Sequence, residues 1–355
     1  MKNIWLYLRR NAGKAGTILV VLCLFLMSGC GSSGRGELLS VEDGQVIEET
    51  EGNTSQTDTE EALSLEVTDT GEHILSYGKI SEEYFEIHQL PFPTFWGGAA
   101  YALHTPDEKL YIIDGGFLGE DGQRITQYIN DHGGEVEGWI LTHPHVDHIG
   151  AFLNFMEHNG SHVKAVYYAP FTPEFFQNED PDVYALLNNA ILFYEFENVK
   201  AATEAETEYI PMEQGDVLEL SGMELRCFSS FRFDRKDING NSLVFTVTVN
   251  GFSMLFTADM TEVTLQDMLT DYPNEETLVN PHVLQIPHHG YMAGISNDEL
   301  YRLTKPQYAL LDCTVEEYEN NSVNIADHVT MIEALGIPVV RRFAGADGNR
   351  IRVYR

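Results

Sequence analysis

Thr142-His143-Pro144-His145-Val146-Asp147-His148-Ile149-Gly150 places three histidines and one carboxylate within six consecutive residues. Such a density of ligating side chains points to metal. Pro144 lacks an N–H and confines the residue before it to extended backbone, so this segment is not helix interior. On an extended segment side chains two apart point the same way, which makes a chelate of His143 and His145. Upstream, residues 135–141 read as a strand, and residues 149–157 carry apolar side chains at helical spacing. Asp147 and His148 therefore fall at a strand-to-helix turn, at the carboxyl end of a strand, where α/β folds place their sites. A solvated polar loop would account for one histidine, not for three with a carboxylate at this spacing.

The 355 residues carry 21 Lys and Arg against 55 Asp and Glu, a formal net charge of −34, and are 43% hydrophobic. That hydrophobic share is ordinary for a globular chain with a core, and the length accommodates one large domain or two of usual size. A surface this acidic repels nucleic-acid backbones and anionic lipid, so stable nucleic-acid binding is not expected.

Lys2, Arg9, Arg10 and Lys14 precede an apolar run over residues 17–27, and Ser28-Gly29-Cys30 follow. This is the order of a secretory signal, and the run is shorter than the ~20 residues of a spanning helix. Small residues directly before a cysteine resemble a bacterial lipobox, with Met27 where leucine is commoner. The resemblance implies a lipoprotein signal peptide at 1–30, lipidation of Cys30, and a chain anchored by lipid to the extracytoplasmic face of the cell membrane. Residues 31–75 are rich in Gly, Ser, Thr and acids, with twelve acids and no base between 36 and 75. So little apolar surface cannot offset the entropy of ordering, which predicts a disordered acidic linker and a folded domain over 76–355. Cys227 and Cys313 are read as buried small hydrophobes.

Strands are expected at 83–90, 99–104, 109–114, 163–168, 217–220, 223–228, 242–249, 252–257, 282–286, 308–311, 337–341 and 350–354. Helices are expected at 124–132, 182–199, 262–269 and 327–335. One domain of two sheets with helices outside is the simplest packing. Three polar spots stand where a strand has just ended: Asp114, Asp259, and the pair His288-His289. Singly each is a turn former. Together with the histidine cluster they make a strand-end constellation.

These residues resemble the metallo-β-lactamase-fold hydrolases over about residues 83–355. His143-x-His145-x-Asp147-His148 matches that superfamily's signature, Asp114-Gly115-Gly116 its first motif, and Thr257-Ala258-Asp259 its later bridging aspartate. Asn241-Ser242-Leu243-Val244, Thr257-Ala258-Asp259 and Pro287-His288-His289-Gly290, in that order, are most similar to the branch related to the hydrolase domain of the competence protein ComEC/Rec2. The closing Asp347-Gly348-Asn349-Arg350-Ile351-Arg352-Val353 is similar to the same branch.

The resemblance implies an α/β fold, the four-layer αββα sandwich, holding two divalent metal ions. One ion falls to His143, His145 and Asp259. The other falls to Asp147, His148, Asp259 and one of His288 or His289, with His288 preferred because it comes directly off its strand. Asp114 would accept a ligand N–H and fix its tautomer. Asp147 would also orient the attacking water or take its proton. The superfamily's further histidine on the first metal has no counterpart, since no histidine occurs from 163 to 281, and Asn239 or Asn241 is expected nearest that position. Harder ligands shift preference from zinc toward manganese, so zinc is favoured only modestly and manganese stands second.

Two cations that activate a water and clamp an ester define a metal-dependent hydrolase, foremost a phosphodiesterase acting on a small-molecule or polymer phosphodiester. The alternatives are hydrolysis of a lactam, lactone or thioester, with Phe92, Phe95 and Trp96 as an apolar substrate wall, or a non-catalytic surface lipoprotein with a structural metal. Arg226, Arg232, Arg235, Lys236, Arg341 and Arg342 are read first as solvated bases and second as phosphate contacts. His328 is read first as a helix-start polar residue and second as a substrate donor.

Overall fold

The computed structural model describes residues 63–68, 72–91, 98–178, 189–273, 275, 278–342 and 348–355. The described residues all belong to one compact unit, Thr59–Arg355. The expected signal peptide with Cys30, the linker up to residue 62, and Phe92, Phe95, Trp96 and Asp347 lie outside the described residues. Among the described residues, no helix is long and apolar enough to cross a membrane.

Side-chain alternation along the strands sets the layers. In Ala100–His104, Tyr101 and Leu103 join one buried cluster while Ala100 and Ala102 join another. In Leu110–Asp114, Tyr111 and Ile113 go with the first cluster and Leu110 and Ile112 with the second. Both faces of this sheet are therefore dry. The first cluster also takes in Leu225, Phe245, Val247 and Met254 of another sheet, so it fills the space between the two. The second cluster joins the first sheet to the helices Glu120–Asp131, Val146–Asn159 and Asn189–Thr203 through Ile129, Phe152, Phe155 and Phe196. A third, with Leu255, Leu265, Leu284 and Val329, packs Glu262–Asp271 and Ile325–Glu333 on the outer face of the second sheet. Three apolar seams between four layers make the αββα sandwich that the motifs imply.

From edge to edge the first sheet runs Ser64–Val67, His73–Tyr77, Asn349–Tyr354, Tyr84–Gln89, Ala100–His104, Leu110–Asp114, Gly138–Leu141, Ala165–Tyr168 and Glu208–Pro211. The second runs Val339–Arg341, Tyr308–Leu311, Val283–Gln285, Phe252–Phe256, Val244–Val249, Met223–Ser229 and Val217–Leu220. Within the first, Leu110–Asp114, Gly138–Leu141 and Ala165–Tyr168 pair in parallel. Within the second, Phe252–Phe256, Val283–Gln285 and Tyr308–Leu311 do the same. Parallel neighbours need helical crossovers, which cover the sheet faces and gather the strands' carboxyl ends along one edge.

The start of the folded unit corrects the expected linker. Ser64–Val67 pairs antiparallel with His73–Tyr77, which pairs in parallel with Asn349–Tyr354. Ser64–Val67 is exposed along its whole length and so presents no apolar face to read; its order comes from the ladder beside it. Leu75 and Tyr77 are buried in the seam between the sheets, so the domain begins before residue 76. The helix expected at 182–199 runs Asn189–Thr203, with residues 182–188 outside those described.

Candidate metal centre

Strand Gly138–Leu141 ends, the chain continues extended through the proline, and His145 caps the helix Val146–Asn159 with φ −82° and ψ 151°. Asp147 and His148 thus occupy the first helical turn, where the backbone dipole favours a carboxylate. Gly150 brings that turn onto the loop after Leu110–Asp114: a Cβ there would stand 2.6 Å from the Leu118 nitrogen. Asp114, buried at the end of its strand, accepts the Thr142 N–H on Oδ1 at 2.9 Å. Its Oδ2 accepts the Thr142 hydroxyl at 2.8 Å and His148 Nδ1–H at 2.7 Å. The Nδ1 proton of His148 is thereby committed to Asp114, so the ring, when neutral, presents its Nε2 lone pair to the site.

The second sheet supplies the remaining groups, again from the ends of parallel strands. The N–H groups of Thr257 and Ala258 both donate to Gln285 Oε1 at 3.0 Å, which fixes the loop carrying Asp259. Gln285 Nε2 donates to Asp312 Oδ2 at 2.8 Å, and that carboxylate also accepts from Tyr101 at 2.6 Å and from Gln89 at 2.8 Å. The backbone carbonyl of Asp312 accepts from His289 Nδ1 at 3.1 Å. One buried network therefore sets the Asp259 loop and the His289 ring together.

The donors converge in two groups that share Asp259. His143, His145 and Asp259 form one, and Asp147, His148, Asp259 and His289 the other, each with its ligand atoms within 4.8 Å of one another. In the first, His143 Nε2 lies 3.1 Å from His145 Nδ1 and 3.6 Å from Asp259 Oδ2. In the second, His148 Nε2 lies 3.2 Å from Asp259 Oδ1 and 3.3 Å from His289 Nε2, which is 3.2 Å from Asp147 Oδ2. Donors held about 2.1 Å from a tetrahedral cation are separated by roughly 3.4 Å, the spacing seen here. Imidazole nitrogens and carboxylate oxygens so arranged fit two divalent cations, with Asp259 common to both donor groups.

Electrostatics divides the two groups. Burial lowers His143 well below the usual histidine range and His145 to about 4. Burial acts the same way on His148 and His289, but acids outweigh it: Asp259 and Asp114 raise His148 well above its usual value, and Asp259 and Asp147 raise His289 to about 9. Burial would raise the carboxyls of Asp147 and Asp259, yet His148 and His289 hold both well below their usual range.

These positions correct one expectation and decide between two pairs of alternatives. His289, not His288, joins Asp147 and His148, because both histidines of the turn His288–Gly290 have left-handed backbone, φ 51° and 55°, and the turn rather than strand alternation aims the rings. Asn241 does not approach the site: its Oδ1 accepts the Arg232 N–H at 2.6 Å and its Nδ2 donates to the Asp237 carbonyl at 2.9 Å. Asn239 does, with Nδ2 3.4 Å from His288 Nε2. His328 is no substrate donor; it is buried, bound to Tyr301 at 2.9 Å and to the Gly290 carbonyl at 2.8 Å, bracing the histidine turn from behind. Among the basic residues, Arg226 pairs with Glu275 at 3.0 Å, Arg232 with Asp234 at 3.1 Å, Arg235 with Asp267 at 2.7 Å and Arg341 with Glu333 at 3.4 Å. Arg342 is buried against the Gly98 carbonyl. Gln285 and Asp312 escaped the sequence reading, although Asp312 follows Tyr308–Leu311 at the same strand-end position that singled out Asp114 and Asp259.

With this geometry in place, comparison with known proteins gives a direct answer. Residues 93–298, more than half of the chain, match the Metallo-beta-lactamase superfamily, and the chain belongs to that superfamily of metal-dependent hydrolases. Over 177 residues it is 25% identical to ComE operon protein 3 of Bacillus subtilis (strain 168), a match covering 50% of this chain and 20% of that protein. The chain thus spans about a fifth of that relative's length. Its fold is similar to that of the metallo-beta-lactamase fold protein YhfI from Bacillus subtilis, at 14% identity and a TM-score of 0.46, covering 76% of this chain and 100% of that one. It is also similar to CmlA, a diiron beta-hydroxylase from Streptomyces venezuelae, at 14% identity and a TM-score of 0.48, covering 78% of this chain and 55% of that one.

Proposed function

We propose that this protein is a metal-dependent phosphodiesterase, lipid-anchored at Cys30 on the extracytoplasmic face of the cell membrane, with zinc favoured and manganese second. The observation that carries the reading is the pair of donor groups sharing Asp259, with Asp147 retained at the mouth. His143, His145 and Asp259 would hold one cation, and Asp147, His148, Asp259 and His289 the other. When bound, the pair supplies Lewis acidity: a water activated at neutral pH and a neutralised phosphodiester charge.

The chain's own residues do the rest. Asp147 has 22% of its side chain exposed, whereas His148 and Asp259 have 0% and 3%, so Asp147 is the carboxylate that meets solvent and can receive a proton from an attacking water. Asp114 accepts the Nδ1 proton of His148, so the neutral ring turns its Nε2 lone pair toward the site. Arg226, Arg232, Arg235 and Arg341 are committed to acids, so neutralising a phosphodiester falls to the metal centre rather than to guanidinium groups. The order of basic residues, apolar run and Ser28-Gly29-Cys30 supports export and anchoring.

The test is hydrolysis of bis(p-nitrophenyl) phosphate by the full-length chain in mild detergent, stripped of metal and reloaded with Zn²⁺ or Mn²⁺. Cleavage that returns with metal and is absent in His148→Ala is expected. A chain that carries both ions and cleaves no activated phosphodiester would sink the reading.

A further inference from the structure

The adjacent histidines 288 and 289 part company at Asp259. His289 Nε2 lies 3.5 Å from Asp259 Oδ1, the oxygen that His148 also approaches, at 3.2 Å. His288 Nε2 lies 3.6 Å from the other oxygen, Oδ2, which His143 approaches at the same 3.6 Å. The two oxygens of one carboxylate thus sort four imidazoles into two pairs. The rings of His288 and His289 stand 6.1 Å apart with an interplanar angle of 61°, a divergence produced by two successive left-handed residues in one turn. Non-glycine residues adopt that backbone only where the surroundings impose it, and such turns gather at functional sites.

We propose that His288 is the third imidazole of the His143/His145 site, standing in for the histidine that residues 163–281 lack. The assignment rests on the metal-centre reading above. Three observations carry it beyond proximity to Asp259. His288 Nδ1 is buried with no hydrogen-bond partner, and Nε2 contacts Asn239 Nδ2 at 3.4 Å, the limit of a hydrogen bond, so no strong bond commits this ring elsewhere. Asn239 Oδ1, in a side chain 6% exposed, is likewise without a partner, which leaves two buried polar atoms at one spot awaiting a ligand. Gly294 backs the ring: a Cβ there would come within 3.2 Å of both Cβ and Nδ1 of His288. A ligand with no acceptor behind its outer nitrogen makes this the weaker of the two sites.

The experiment reads bound metal, so it does not depend on whether any phosphodiester is cleaved. The full-length chain in mild detergent is stripped and titrated with Zn²⁺ against a chromogenic chelator, and with Co²⁺ followed by its visible absorption. Wild type is expected to bind two ions of separable affinity. His288→Ala, and His288→Gly, which suits the left-handed backbone, are expected to keep the tighter ion and weaken the other at least about tenfold, while His289→Ala loses the tighter one. Gly294→Ala, whose added Cβ would press on His288 and on the Met260 carbonyl, weakens the same ion as His288→Ala by a smaller factor. Wild-type affinities for both ions in the two His288 variants, loss of the tighter ion instead, or loss in His288→Ala that His288→Gly restores, would each overturn the assignment.

Discussion

The two halves of the metal centre are built from similar donors but backed differently. Behind Asp147, His148 and His289 stand anionic or strongly polar acceptors: Asp114 Oδ2 at 2.7 Å from His148 Nδ1, and the Asp312 carbonyl at 3.1 Å from His289 Nδ1. Behind His143 stand two neutral hydroxyls, Thr142 at 3.1 Å and Ser242 at 3.4 Å from Nδ1. An acceptor that bears negative charge makes the imidazole more basic and a better ligand. The same charge raises its affinity for a proton, so the better-backed half is also the half where protons compete with metal.

Removing what the halves share tests the comparison most harshly. Asp259→Ala should release both ions and lower turnover roughly a thousandfold or more, measured as metal content and hydrolysis of an activated phosphodiester; retention of either ion at wild-type affinity would break the two-group description. Asp114→Asn touches only the backing of His148. It should weaken the tighter ion by roughly 10- to 100-fold and leave the other nearly unchanged.

Proton release sharpens the contrast further. His289 is held up to about 9, so near neutral pH it is protonated before metal arrives; His148 is shifted in the same direction, whereas burial shifts His143 and His145 the opposite way. Metal needs the neutral ring. Apparent affinity at the Asp147/His148/His289 half should therefore rise with pH up to about 9 and fall as pH drops, while the His143/His145 half stays flat above about pH 6.5. Calorimetry in buffers of different ionisation enthalpy counts the released protons; equal release at both halves contradicts the division. The smallest effect is expected from Ser242→Ala, a change of a few-fold confined to the His143/His145 half.

The strand ends were legible because their physics is local. Proline after a histidine, alternation in a buried strand and an acid directly after an apolar run each leave a mark within a few residues, and Asp114, the signature and Asp259 were found that way. The histidine turn was not legible in the same manner. Left-handed backbone at two consecutive non-glycine residues is imposed by tertiary surroundings, including buried His328 on the Gly290 carbonyl, so strand periodicity pointed to the wrong ring for the second group. Gln285 and Asp312 act through hydrogen bonds to loops distant in sequence, and only a folded chain shows that Asp312 reaches His289 with its backbone rather than its carboxylate. Ser64–Val67 could not be read because an exposed edge strand has no buried face to leave a pattern.

The signature comes from one sheet of the sandwich and Asp259, His288 and His289 from the other, so each bound cation would be tied to both sheets. The seam between them is otherwise apolar, with the Tyr101–Asp312 and Gln89–Asp312 bonds among its few polar crossings. A cation that binds the closed sandwich and not the unfolded chain adds RT ln(1 + [M]/Kd) to its stability, about 2.7 kcal/mol at a hundredfold excess over Kd. Folding equilibrium and metal supply are therefore thermodynamically linked, and a fall in free cation lowers the melting temperature of the sandwich even with no substrate present.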